Sequence, residues 1–353
     1  MDTGLAKSDT SSQNYDVVVI GSGPAGIAAA INCKLQGLQT VLITKAPADT
    51  HTFEKNVLRP TESVHPGISS LLKTLQAEHV LHDSSTGMYE GIQTGNQYAA
   101  LGSDAEGAWK GHHIDRSLFN AGLLQCAQAQ GVYIVTGETV DAIIEQDNSI
   151  TGIKTVSGKT FTAKYVIDAS GRARLAGKKL KFKERYISPP LVSWTGVSGP
   201  IDNETFSSLK TSFIPEPNGW TWLAPASQAY CTWTRLARKG EKDFRSPKEL
   251  EHFALAGNVQ VANMRWRIFR PLCTEGLVLC GDAAGIIDPA AGQGILNAIC
   301  SGIYAARTVI ACFANPALAS FYLAQYDDWY LSQFQEKADR LKQYYAEQGV
   351  NVF

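Results

Sequence analysis

Gly21-Ser22-Gly23-Pro24-Ala25-Gly26 has the glycine spacing of a pyrophosphate cradle. In such a loop the first glycine permits a tight turn, the second lets backbone approach the anion, and the third lets a helix pack close to a strand. The helix that opens there adds unpaired N–H groups and a partial positive charge. The flanks agree: the strand-forming Tyr15-Asp16-Val17-Val18-Val19-Ile20 precedes the loop and the helix-forming Ile27-Ala28-Ala29-Ala30-Ile31 follows it. A second group able to do chemistry is Gly281-Asp282, at the end of the short apolar run Gly276-Leu277-Val278-Leu279-Cys280. The Asp282 carboxylate can accept hydrogen bonds from the hydroxyls of a sugar-alcohol chain. Read by itself, it also fits a helix cap. Next, Asp288-Pro289-Ala290-Ala291-Gly292-Gln293-Gly294 reads as a glycine loop feeding the helix of Ile295-Leu296-Asn297-Ala298-Ile299-Cys300. A helix N-terminus aimed at a flavin would favour the anionic reduced ring, although the loop alone means only a permissive backbone. Together the motifs frame a site for FAD.

The elements that position these groups are interleaved along the chain. Residues 15–65, 111–185 and 265–316 read as a Rossmann-like FAD-binding lobe in an α/β fold. It includes the strand Gly131-Val132-Tyr133-Ile134-Val135 and a β-meander with alternating pattern from Ile150 to Phe161. Residues 66–110 and 186–264 read as a β-sheet substrate lobe, with strand patterns Leu191-Val192-Ser193-Trp194 and Tyr230-Cys231-Thr232-Trp233. An insertion between cofactor elements is a natural place for a pocket. Residues 1–14 are polar, lack a signal peptide's apolar run and read as a flexible tail, so the expected location is the cytoplasm. Residues 317–353 read as a C-terminal helical segment with Phe321, Tyr322, Tyr326, Trp329, Tyr330 and Phe334 on one face, either for packing or for docking a protein partner.

On these motifs the chain resembles the two-domain FAD enzymes of the p-hydroxybenzoate hydroxylase fold, which include aromatic hydroxylases, geranylgeranyl-reductase-like proteins and flavin-dependent halogenases. Val166-Ile167-Asp168-Ala169-Ser170-Gly171-Arg172 and His113-Ile114-Asp115-Arg116 extend the likeness, all four motifs standing in family order. The resemblance implies that Gly21, Gly23, Pro24, Ala25 and Gly26 meet the pyrophosphate of a non-covalent FAD. It implies that Gly281 and Asp282 meet the ribityl chain, Gly292, Gln293 and Gly294 the flavin ring, and Arg116 the phosphate side. Arg59, Val140, Ala169 and Ser170 complete the expected cofactor set. One departure is Thr44-Lys45, where the family usually has an acidic residue for the adenosine ribose. A base there suits an NADP 2′-phosphate, but the Asp282 and Gly292 segments favour a flavin.

Arg59-Pro60-Thr61-Glu62-Ser63-Val64-His65-Pro66 is similar to the G-E-S loop of the halogenase branch, and Trp220-Thr221-Trp222-Leu223-Ala224-Pro225 to its W-x-W-x-I-P signature. Tryptophans at i and i+2 also serve as sheet filler, and Glu62 as a surface carboxylate. Halogenases of this type use a lysine downstream of the G-E-S loop. With Gly91-Ile92 matched, Gln93 stands there, and no Lys occurs between Lys73 and Lys110. Together with the missing C-terminal extension, this disfavours halogenation. What remains is a likeness to the short LodB-like and GoxB-like flavoproteins, which mature tryptophan-derived quinone cofactors of partner oxidases.

Composition agrees with an enzyme. The chain has 353 residues, 44% hydrophobic, enough for two lobes, and its net charge of −1 gives no reason to expect nucleic acid. Seven cysteines without a C-x-x-C pair argue against a disulfide framework and a zinc site, Cys280 and Cys300 reading as core filler. No metal is expected. The helix from Ile295 to Phe313 is apolar, but Arg307 and its modest hydrophobicity favour a buried core helix over a membrane span.

The expected chemistry is oxygen activation by reduced FAD and hydroxylation of an electron-rich aromatic ring. Dioxygen is the co-substrate, and NAD(P)H or an external reductase the electron source. Glu62, Trp220 and Trp222 are the expected pocket residues, Glu62 accepting the ring proton. Three functions stay open: hydroxylation of a tryptophan in a partner oxidase precursor, a small-molecule monooxygenase or reductase, and a non-catalytic flavoprotein that chaperones a partner.

Overall fold

A run of β-branched residues buried on both faces sets the centre of the molecule. In the strand Gln13–Ile20, Val17, Val18 and Val19 are wholly buried, as befits a parallel strand covered by helices on either side. The computed structural model describes residues 13–47, 59–105, 107–226, 229–240 and 245–353. Five strands lie parallel, in the order Tyr133–Val135, Thr40–Ile43, Gln13–Ile20, Thr160–Asp168 and Leu277–Leu279. Thr160–Asp168 is long enough to serve two partners on one edge: its later residues pair Leu277–Leu279, and its first ones pair Ser149–Thr155, which continues into Val140–Gln146. This is the expected meander. The carboxyl ends of the parallel strands carry the dinucleotide loops, the usual place for a ligand in such a sheet.

A second sheet has seven strands, in the order Gln260–Asn263, Leu191–Ser198, Tyr230–Arg238, Gly219–Ala226, Ser212–Glu216, Gly91–Thr94 and Gln97–Ala100. It joins the two segments assigned to the substrate lobe, through a parallel pairing of Ser212 with Gln93 and Phe213 with Thr94. One face packs Phe213, Trp220, Leu236 and Trp266 against the C-terminal helix, and the other packs Trp194, Leu223 and Trp233.

Two boundaries differ from expectation. The first strand begins at Gln13, so Asn14 belongs to the sheet opposite Thr162, while residues 1–12 of the expected tail lie outside the described residues. The helices Ile68–Thr74 and His79–Ser84 join the core of the FAD lobe, burying Ile68, Leu72 and Val80 with Phe119 and Leu123. The C-terminal segment is one long helix, Ala319–Glu347, that spans both cores: Leu323, Tyr326 and Phe334 pack on the FAD lobe, and Ala338, Leu341 and Tyr345 under the substrate sheet. Its aromatic face is therefore largely packed, with Phe321 left 53% exposed.

The helix Gly294–Ala314 has a mean hydropathy of 1.5 over its most apolar window, enough for a membrane span by length and composition. Its neighbours explain that character. A Cβ on Gly302 would lie 2.1 Å from the Ala25 carbonyl oxygen, so this helix crosses the helix Pro24–Leu35 at backbone contact, inside the core.

Candidate active site

Gly21 leaves the first strand at φ +102°, a conformation L side chains rarely adopt, and a Cβ there would sit 2.5 Å from the Ala169 carbonyl oxygen. Its N–H donates to the Ile43 carbonyl (2.8 Å), and Ala169 N–H to that of Ile20 (3.0 Å). Three strand ends are thus stitched around one loop. Gly26 brings helix to loop, since a Cβ on it would be 1.9 Å from the Gly21 carbonyl oxygen. Gly23 differs: it caps the helix with no side-chain bond, Pro24 follows at the first position, and an added Cβ would meet nothing within 4 Å. The fold has a reason for Gly21 and Gly26 but none for Gly23, and an open backbone at a helix N-terminus is what a pyrophosphate requires.

Thr44 is buried, its hydroxyl 2.7 Å from that of Ser22, while Lys45 is exposed. The segment leading to Val140 crosses the same strand end, Gly137 N–H donating to the Ala46 carbonyl (2.8 Å) and Glu138 N–H to that of Thr44 (3.0 Å). Ser170 N–H donates to the buried Asp168 carboxylate (2.9 Å), which also accepts from Ala176 N–H (2.7 Å). Arg59, half-buried, stands two residues before Thr61, whose N–H donates to the Thr232 hydroxyl (3.0 Å).

Gly281 adopts φ +58° beside Ala25, so the second motif abuts the first helix. The C-terminal helix holds it there: Tyr326 donates its hydroxyl to the Leu279 carbonyl (2.8 Å) and Tyr330 to the Gly281 carbonyl (3.0 Å). Asp282 is 41% exposed, with its Oδ2 3.9 Å from Arg172 Nε. Burial raises its carboxyl above the ordinary range, and the charges of Arg172, Arg267 and Arg116 oppose this only in part. Arg116 and Glu62 therefore lie within electrostatic reach of Asp282. They form an ion pair, Arg116 Nη1 to Glu62 Oε2 at 2.6 Å, so the carboxylate expected to accept a ring proton is engaged by a guanidinium.

Asp282 opens into a cavity of about 590 Å³. Gln293 and Gly294 line it at the start of the helix Gly294–Ala314, and Ile92, Phe213, Trp222 and Ile287 make an apolar wall. Gly292 turns the loop at φ +61°, and a Cβ on it would stand 3.7 Å from the Ser63 carbonyl oxygen. Glu62 does not line the cavity, and neither does Trp220. The latter is 1% exposed behind the wall and donates its indole N–H to the Tyr345 hydroxyl (2.6 Å). Cys300, expected as core filler, lines the cavity.

Trp222 is held by a chain that sequence reasoning did not find. Its N–H, a donor only, goes to Ser63 Oγ (2.9 Å), which leaves the Ser63 hydroxyl proton for His113 Nδ1 (2.9 Å). His113 Nε2 then carries the ring proton and donates to Thr211 Oγ1 (2.9 Å). Burial, helped by neighbouring His112, pushes the His113 pKa down to about 4, so the imidazole is neutral near pH 7 and this tautomer persists. Ser63 belongs to the quoted G-E-S-like motif, but nothing local in sequence links it to Thr211. No group of three or more metal-ligating side chains occurs among the described residues.

Asp282→Ala should weaken FAD binding between about tenfold and a hundredfold, the worth of a lost hydrogen bond to a charged acceptor. Titration of apoprotein with FAD, read by flavin fluorescence, measures it. Unchanged affinity would remove Asp282 from the site.

Residues 16–53 match an FAD binding domain, and residues 92–349 match the tryptophan halogenase family. Digeranylgeranylglycerophospholipid reductase of Methanoculleus marisnigri is 27% identical, over 94% of this chain and 87% of that protein. Among solved structures, the flavin-dependent brominase Bmp2 superposes with a TM-score of 0.78 at 20% identity, covering 96% of this chain and 88% of that one. The peptidyl tryptophan dihydroxylase QhpG, essential for tryptophylquinone cofactor biogenesis, gives 0.72 at 18% identity, covering 96% and 76%. With a match that runs from Ile92 in the cavity wall to the end of the C-terminal helix, this chain belongs to the tryptophan halogenase family of FAD-dependent oxidoreductases.

Proposed function

We propose that this protein is a monooxygenase that hydroxylates a tryptophan side chain in a partner oxidase precursor. The observation that carries the reading is the cavity itself, which runs from the Asp282 and Gly294 loops to an aromatic and aliphatic wall. Bound FAD, once reduced, supplies the electrons and the oxygen-activating chemistry, with NAD(P)H or a separate reductase as donor. The chain's residues hold it: the open backbone at Gly23 for the pyrophosphate, Asp282 for the ribityl hydroxyls, and the N-terminus of the helix Gly294–Ala314 for negative charge on the ring. Trp222, fixed by Ser63 and His113, orients the substrate ring, and the apolar wall excludes water. Glu62 is a less direct candidate for the proton acceptor, because Arg116 holds it.

A protein substrate is supported by the likeness to QhpG over nearly the whole chain. All seven cysteines are unpaired, as a reducing cytoplasm would leave them. Against halogenation stands the strand Gly91–Thr94: Ile92 faces the cavity, while the Gln93 amide donates to the Gly95 carbonyl (2.7 Å) and supplies no ammonium.

The test is co-expression with an oxidase precursor encoded beside this chain, in high bromide, with the precursor weighed intact. Added oxygen on one tryptophan, with no bromine isotope pattern, is the expected result. Bromine on the precursor would establish halogenation. An unmodified precursor, with hydroxylation of a small aromatic or alkene reduction without oxygen, would transfer the activity to a small-molecule monooxygenase or a reductase.

A further inference from the structure

Along the C-terminal helix the cavity carries Lys337 and Arg340 beside Glu336, with Asp282 and Asp288 elsewhere in its lining, and the chemistry proposed above makes no use of Lys337. The C-terminal helix lines the cavity with Phe334, Lys337, Leu341 and Tyr344, which fall on one face at helical spacing. Lys337 is half-buried, and its Nζ donates to Asn297 Oδ1 (2.5 Å) in the first turn of the helix Gly294–Ala314. An ammonium has three N–H donors, so Asn297 leaves donors for a ligand. Among the described residues no carboxylate lies within 4 Å of Lys337. Its neighbour in sequence, Glu336, pairs with Arg340 at the cavity rim.

A partly desolvated ammonium with no carboxylate in contact is unfavourable, and burial already lowers the Lys337 pKa. Arg340 pushes in the same direction, while Cys300 and Glu336 oppose it. The apolar residues Phe213, Trp222 and Ile92 line the same space. A ligand that satisfies both features has an aromatic ring and a carboxylate.

We infer that the cavity selects an aromatic ring accompanied by a carboxylate, which Lys337 and Asn297 receive while the ring packs on Trp222 and Phe213. This rests on the reading of the cavity as the substrate site and narrows the substrate class. The carboxylate belongs either to a free aromatic acid or to an acidic residue beside the target tryptophan in a polypeptide.

Calorimetry on the oxidised, FAD-loaded protein tests it without any turnover. The first probes are indole-3-acetate and its neutral isostere indole-3-acetamide. The second are an end-blocked Trp-Glu dipeptide and its Trp-Gln counterpart. The acid of at least one pair should bind about tenfold or more tighter than its amide. Lys337→Met should bring the ratio to about one, and Lys337→Arg should retain most of it. Preference confined to the indole pair assigns a free acid, and preference in the peptide pair a residue of a partner. Equal affinity for acid and amide in both pairs, a ratio untouched by Lys337→Met, or no binding of any probe would overturn the inference. Because no oxygen or reductant is present, these results do not depend on hydroxylation. Acid preference without hydroxylated product in any assay would leave the site standing and sink only the monooxygenase reading.

Discussion

Gly23→Val is expected to purify folded and colourless, whereas Gly26→Val should fail to accumulate as a folded protein. The two positions lie three residues apart in one loop, and local composition does not separate them. Space does. At Gly23 the backbone sits at φ −74° and ψ 171°, open to any residue, and an added Cβ meets nothing within 4 Å. The substitution costs the fold about 1 kcal/mol or less, from a poorer helix cap. It places branched carbons where the pyrophosphate must approach the helix N–H groups, so FAD affinity should fall at least about a hundredfold, each charged hydrogen bond being worth roughly 1.5–3 kcal/mol. At Gly26 the new Cβ would lie 1.9 Å from the Gly21 carbonyl oxygen and 3.1 Å from the Ala169 Cβ. Backbone cannot swing aside as a flexible side chain does, so the helix must leave the sheet, at a cost above the roughly 1–3 kcal/mol of ordinary overpacking. The flavin-to-protein absorbance ratio and a circular-dichroism melt read both outcomes. Gly23→Val with a full complement of FAD would move the pyrophosphate off this loop. Gly26→Val melting like the wild type would mean that the helix and loop are not in backbone contact.

That contrast marks how far the sequence could be read. The strand, turn and helix around Gly21 were legible because each is a local pattern, and so were the strand ending at Gly281 and the loop at Gly292. The two segments of the second sheet were legible as strands, but their pairing of Ser212 with Gln93 was not, because register depends on contacts far along the chain. The same limit hid the positions of Trp220 and Trp222. They share a face in sequence and in the structure, yet only Trp222 reaches the cavity, since Tyr345, 125 residues away, closes over Trp220. The helices Ile68–Thr74 and His79–Ser84 lie in a segment assigned to the substrate lobe yet pack in the core of the FAD lobe, because the core that a short helix joins is set by contacts outside it. Lys337 gave no signal at all, being one lysine among charges on a helix whose aromatic face drew attention.

Asp288→Leu should be among the most destabilising single changes in the molecule. Asp288 is buried where both lobes and the C-terminal helix meet, and its carboxylate accepts from Tyr345 Oη (2.6 Å), Trp266 Nε1 (2.7 Å) and Ala290 N–H (3.2 Å). Leucine strands these three donors away from water, at about 1–3 kcal/mol each, against a total stability typically of about 5–15 kcal/mol. The carboxylate also leaves a pH signature. Burial pushes its pKa up to about 6, the three hydrogen bonds only partly opposing it. An unfolded aspartate titrates near 3.9, so between about pH 4 and 6 the folded protein binds more protons than the unfolded chain. This contribution to stability is therefore fully present below about pH 4 and is lost as the pH rises through 6. A carboxyl that titrates near 6 when folded and near 3.9 when unfolded changes stability by about 3 kcal/mol across that interval. Asp288→Asn keeps the shape but cannot titrate, so the stability of the wild type relative to Asp288→Asn should fall across that interval and stay level above it. Denaturant melts of both proteins at successive pH values measure the difference, with other titrating groups common to the pair. Parallel profiles from pH 4 to 7 would show that Asp288 does not titrate in that window, and would remove burial as the force that sets its charge.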